Sequence, residues 1–291
     1  MPLANAIVAR LASGDVSDDE FCGLLLVINW PAADDVQSML APFSAATLPA
    51  SAYLYPPTSL HCTVATLRAF TGGPLDADKS EATRWMAVLD AASAMPSWPN
   101  GPVKLRMMAP TFEGAAGIMR YEELAPGGAI DAMRACLREA IMLAGGVPAE
   151  GSADRSHAKP LGGAPASEPP PHLPNIIHST VLRWATEPSE AEVERVRSVF
   201  EQVAASWTPL DFTVNVATTC GVYETVPFMH IPHEAKQVFW RRLCHCPAGR
   251  TCQCGPECAC APGQPGCDPC KSFAIAKAAA EAGVAAADTT G

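Results

Sequence analysis

Positive charge is what this sequence has least of. Lys and Arg number 20 against 30 Asp and Glu, for a net charge of −10, and the largest basic cluster is the pair Arg241-Arg242. An acidic chain repels long polyanions unless a basic groove overrides the field. That disfavours a binder of long nucleic acid and leaves room for a small nucleotide or an RNA end. Long apolar runs are missing too. The longest centres on Leu24-Leu25-Leu26-Val27-Ile28, far short of the roughly 20 residues of a membrane helix, and the first 21 residues hold no apolar stretch of signal-peptide length. The expectation is a monomer without a membrane partner, cytoplasmic, with an organelle address left open. Charged residues are only 17% of the chain, yet apolar ones reach 48%, above what a disordered chain carries. With 291 residues, one large domain or two small ones can bury a sizeable core.

Periodicity supplies the elements. Residues 21–30 form a near-continuous apolar run that reads as a buried strand, and 33–43 follow as a short helix. Strands are expected near 53–55 and over 60–67. A helix over 79–95 puts Trp85, Val88, Leu89 and Ala92 on one face. A hairpin over 103–122 turns near Gly114. A helix over 129–144 carries Ile130, Met133, Leu137, Ala140 and Ile141 and stops at Gly145-Gly146. The Pro-, Gly-, Ala- and Ser-rich stretch 146–174 reads as a flexible loop. Beyond it come a strand over 176–184, a helix over 189–206 opened by Ser189, and strands over 210–217 and 220–223. Two similar halves flank the loop, and the mixed order argues α+β, with helices outside antiparallel sheets.

Two segments repeat one pattern: Leu60-His61-Cys62-Thr63-Val64 and Ile177-His178-Ser179-Thr180-Val181. Both read apolar, His, small, Thr, apolar, and both fall in strands. Side chains alternate faces along a strand, so each His shares a face with its Thr. If the halves face each other, two imidazoles and two hydroxyls meet. That set suits phosphodiester cleavage. One neutral imidazole takes a proton from the attacking water or 2′-hydroxyl, the other, protonated, gives one to the leaving oxygen, and the hydroxyls donate to the non-bridging oxygens.

The paired segments resemble the 2H phosphoesterase superfamily, defined by two His-x-Thr/Ser-apolar motifs in pseudo-symmetric lobes, over about residues 20–240. The resemblance implies a bilobal α+β fold, two antiparallel sheets with outer helices and a central cleft. It also implies a catalytic set of His61, Thr63, His178 and Thr180, needing no cofactor, that hydrolyses a 2′,3′-cyclic phosphate or a 2′–5′ phosphodiester of a nucleotide or RNA end. Substrate contacts are expected from Tyr53, Tyr55, Tyr223 and Arg183, with Trp184 and Arg68 as further neighbours. His157 and His172 fall in the loop and are expected to be inert. His230-x-x-His233 is a weak metal signal.

The last segment is of another kind. Eight of the 12 cysteines crowd into 244–270: Cys244, Cys246, Cys252, Cys254, Cys258, Cys260, Cys267 and Cys270. Without a secretion signal, thiolate metal binding fits better than disulfides. Soft sulfur selects Zn or Cu(I), and the tail resembles a metallothionein-like segment. The expected organisation is a two-lobed domain over 1–243, a metal-binding tail over 244–270 and an Ala-rich disordered end over 271–291. A rival reading makes the chain a metal-buffering or metal-delivery protein whose globular part binds nucleotides without catalysis. Turnover by a chain lacking 244–291, with chelator present, separates the two.

Overall fold

The computed structural model describes residues 6–13, 23–29, 40–43, 47–69, 80–99, 102–125, 128–150, 157–162, 170–215, 219–224 and 238–241. The first part of the chain gives α1 (Ala6–Ser13), β1 (Gly23–Asn29), β2 (Ala52–Leu54), β3 (His61–Arg68) and α2 (Ser80–Ser93). The middle gives β4 (Pro102–Met107), β5 (Thr111–Phe112), β6 (Ala116–Glu123), α3 (Ala129–Leu143) and β7 (Ala149–Glu150). The last part gives β8 (His172–Leu173), β9 (His178–Trp184), α4 (Glu190–Ala205), β10 (Leu210–Asn215), β11 (Cys220–Glu224) and β12 (Val238–Arg241).

The strands form two sheets in an α+β fold. One runs β12-β11-β1-β3-β8-β7; the other runs β10-β4-β6-β9-β2, with β5 added to β6. Among the described strands only β7 with β8 is parallel. Each sheet therefore contains one His-x-Thr strand, β3 in the first and β9 in the second.

Helix faces follow the sequence pattern. Trp85, Val88, Leu89 and Ala92 of α2 are buried, as are Ile130, Met133, Leu137, Ala140 and Ile141 of α3. These two helices pack on each other, and α3 touches β3. Trp240 of β12 donates from Nε1 to Asp90 of α2 at 2.8 Å. Gly145, at φ 78°, ends α3. On the second sheet, α4 opens with a reciprocal cap, Ser189 and Glu192 each bonding the other's backbone. Its Phe200 lies directly over Gly117 of β6, where a Cβ would come within 2.2 Å of the ring. Any larger residue at 117 displaces a side chain whose burial contributes roughly 2–3 kcal/mol.

Part of 146–174 departs from the flexible loop that composition suggests. Val147 bridges Lys159, and β7 and β8 extend the first sheet. Backbone pairing holds these short pieces, and pairing leaves little mark on composition. The helix expected over 33–43 lies mostly outside the described residues, its end forming a 3-10 turn at Ala41–Phe43. No described helix is long and apolar enough to cross a membrane.

Candidate active site

The motif strands are buried in the same sequence. From the histidine onward both read half-buried, buried, half-buried, buried, buried, half-buried. The doubled buried step is a bulge. Thr63 faces Val27 of β1 but Ala65 faces Leu26, so Val64 is the extra residue. Thr180 faces Ile118 of β6 but Leu182 faces Gly117, so Val181 is extra. A bulge resets the alternation. It returns Thr66 and Arg183 to the face that carries the His and Thr of each motif.

The middle residues of the motifs bind the strands together. Ser179 Oγ donates to the His61 carbonyl at 2.6 Å, and the His178 backbone lies near the Cys62 thiol. Each middle residue therefore lies near the backbone of the other motif's histidine, and the serine bonds it across 118 residues of chain. Cys62 and Ser179 are buried, so the imidazoles and threonines project to the opposite, half-exposed face. Burial pushes the Cys62 thiol up to about 11, which keeps it protonated.

Arg134 of α3 fastens this junction from the core. It is 4% exposed and donates to the carbonyls of Ile176 at 2.9 Å, Val64 at 3.3 Å and Thr63 at 3.5 Å. Val64 is the bulged residue of β3 and Ile176 leads into β9, so one guanidinium spans both motifs. Sequence reading passed over Arg134, yet a signal was present: it is a cation between Met133 and Leu137 on an apolar stripe.

The two imidazoles differ. His61 Nδ1 lies 3.0 Å from the Ser59 carbonyl. A carbonyl only accepts, so the proton of the neutral ring sits on Nδ1 and the lone pair on Nε2. His178 titrates below its ordinary 6.5, first because it is buried, then because the guanidiniums of Arg183, Arg120 and Arg134 disfavour its charge, with Glu113 opposing. Arg120, which the sequence did not single out, stands directly across from His178 on β6 and pairs with Glu113.

The proposed substrate contacts divide. Tyr53 is half-buried and directly opposite Arg183, and desolvation pushes its phenol up to about 12. Tyr55 is buried, at 3% exposure. Burial raises its hydroxyl well above the ordinary range, while the positive charge of nearby Arg183 acts the other way. It lies near Arg183 and offers little ring to a ligand. Tyr223 corrects the expectation. It pairs with Leu24 of the core face and packs on Phe239 at 5.3 Å, on the other side of the sheet from Thr63 and Thr66. Trp184 is fully buried and donates to the Gly114 carbonyl at 2.7 Å. Arg68 pairs with Glu81 at 3.3 Å. His172, expected in the loop, sits on β8 opposite Thr66. Glu224, also missed, is buried near Tyr55, its carboxylate lying where a Cβ on Gly23 would come within 2.7 Å.

Among the described residues no three His, Cys, Asp or Glu side chains are grouped to hold a metal. His230, His233 and the eight tail cysteines lie outside those residues.

No family model and no curated protein matches the chain. Solved structures similar to it include TT0787 of Thermus thermophilus, at 15% identity and TM-score 0.39 over 69% of this chain and 86% of that one. A phosphoesterase matches at 14% identity and TM-score 0.36, over 69% and 86%. LigT of E. coli complexed with NADP+ matches at 14% and 0.35, over 70% and 86%.

Proposed function

We propose that the chain is a metal-independent phosphodiesterase that hydrolyses a 2′,3′-cyclic phosphate or a 2′–5′ phosphodiester of a nucleotide or RNA end. The observation that carries this reading is the contact between the motifs, where the Ser179 hydroxyl donates to the His61 carbonyl. It sets the two motif strands side by side, which supports the reading that both His-Thr pairs serve a single phosphate.

In the hydrolytic direction His178 is the base. Burial and three arginines keep it neutral near pH 7, so it takes a proton from water as the water oxygen bonds to phosphorus. His61 is the acid. Its Nδ1–H is anchored on a carbonyl, and protonated Nε2 passes its proton to the leaving ribose oxygen as the P–O bond breaks. Thr63 and Thr180 donate to the non-bridging oxygens as charge gathers there, and Arg183 supports the same charge. The tail cysteines take no part in this step; Zn or Cu(I) binding is proposed for them separately.

The test is turnover of a panel of 2′,3′-cyclic nucleotides, 2′–5′ dinucleotides and short RNA ends with chelator present. His61→Ala and His178→Ala are each expected to lose at least about 100-fold in kcat while keeping the unfolding midpoint. Wild-type rates in either variant refute the assignment.

A further inference from the structure

The motif strands continue to match one another past the threonines. After the bulge, Arg183 of β9 has Tyr53 of β2 directly across from it. Thr66, its counterpart on β3, has His172 of β8 directly across. The match holds on the other side as well, where Ala116 faces Arg183 and Leu25 faces Thr66. His172 and Tyr53 therefore occupy equivalent places, one in each sheet.

The direction of the His172 ring follows from register. Directly opposed residues of an antiparallel pair share a face, so His172 lies on the face of Thr66. Its neighbour Leu173 is buried in the main core on the other side. Both rings are half-buried. Each post-bulge residue stands roughly 13 Å along its strand from the motif histidine, four ordinary steps of rise, and the facing ring is one strand further out. Beside Thr63 and Thr66 the same face carries a small apolar group, Leu25, Val27, Cys220 and Val222.

We infer that His172 and Thr66 form a second nucleoside subsite, the counterpart of Tyr53 and Arg183, so that the substrate carries a nucleoside on both sides of the reacting phosphate. An imidazole, like a phenol, offers a π-face on which any base stacks. A threonine hydroxyl both donates and accepts, which suits a ribose or a base edge. A 2′–5′-linked dinucleotide or longer end fills both arms; a mononucleoside cyclic phosphate fills one. This rests on the phosphodiesterase reading and narrows its substrate.

The experiment measures affinity without turnover. The full-length chain and its His172→Ala and His172→Phe variants are titrated with 2′–5′-linked diadenosine phosphorothioate and with adenosine 2′-monophosphate. The wild type is expected to prefer the dinucleotide by about fivefold or more, the range of one base–aromatic stack. His172→Ala removes that preference and His172→Phe, which keeps a ring, retains it. Equal affinity of the wild type for both ligands, or a preference unchanged in His172→Ala or lost in His172→Phe, overturns the subsite. A cleavage assay on the unmodified dinucleotide separates the two readings. Binding as expected without cleavage ends the phosphodiesterase reading and leaves the subsite standing; cleavage with an unaltered preference in His172→Ala does the reverse.

Discussion

Replacing Arg134 with methionine tests whether the two motifs are held together from the core. Methionine keeps the unbranched stem and removes the guanidinium, so the loss is polar. Three carbonyls, one buried and two half-buried, lose a donor: Val64 at 3.3 Å, Ile176 at 2.9 Å and Thr63 at 3.5 Å. A buried acceptor left without its donor costs about 1–3 kcal/mol. The two long bonds count at the low end, and the variant no longer desolvates a cation, which offsets part of the loss. About 2–4 kcal/mol of destabilisation remains. At about 2–4 °C per kcal/mol for a domain of this size, the midpoint falls by about 5–15 °C. The control is Arg106→Met. Arg106 makes two hydrogen bonds to Asp211, at 2.7 and 2.9 Å, but the side chains are 42% and 50% exposed, and solvent screening leaves such a pair little weight in stability. Thermal unfolding of both variants under reducing conditions decides. An Arg134→Met midpoint no lower than that of Arg106→Met refutes the view that this buried cation fastens β3 to β9.

Ser179→Ala removes the 2.6 Å bond to the His61 carbonyl; a cost of about 1–3 kcal/mol is expected in urea unfolding, with kcat falling more than KM rises, and unchanged kcat and stability would show that the contact does not align the site. The pH profile follows from His178. A base held below 6.5 stays neutral on acidification until that lower value is passed, so the acid limb of kcat/KM lies below the ordinary histidine range. Arg120→Gln removes one of the charges that depress it and moves the limb to higher pH, whereas a limb that stays put contradicts the electrostatic account. The full-length chain is expected to take up Zn or Cu(I) through Cys244–Cys270 and a chain ending at 243 is not, while both are expected to turn over substrate at equal rates with chelator present; metal release from the truncated protein, or turnover lost with the tail and restored by zinc in the intact chain, goes against this division.

The parts of the site legible in the sequence are those set by local pattern. His61 with Thr63 and His178 with Thr180 lie on one strand face because alternation is a property of the strand itself. The apolar stripes of α2 and α3 and the Ser189 cap were readable for the same reason. What escaped depends on partners far away in the chain. Arg120 reaches His178 only through the register of β6 against β9. His172 reaches Thr66 only because a two-residue strand in a Pro-rich stretch pairs there. Tyr223 was misjudged because the end of a strand says nothing about its face until Leu24 is known to be its partner. The bulges were visible in principle. Polar residues at 61, 63 and 66, and at 178, 180 and 183, keep a period of two with one skipped step, and that skip marks Val64 and Val181.

The claim on which the rest depends is that His61 and His178 serve one phosphate. Histidine imidazole ¹⁵N NMR of the full-length chain, titrated with adenosine 2′-monophosphate, reads this directly. Resonances assigned by His61→Gln and His178→Gln are expected to shift together along a single saturation curve, and each substitution is expected to weaken the response of the remaining ring. One ring responding while the other stays still, or two curves with unrelated midpoints, contradicts a shared phosphate.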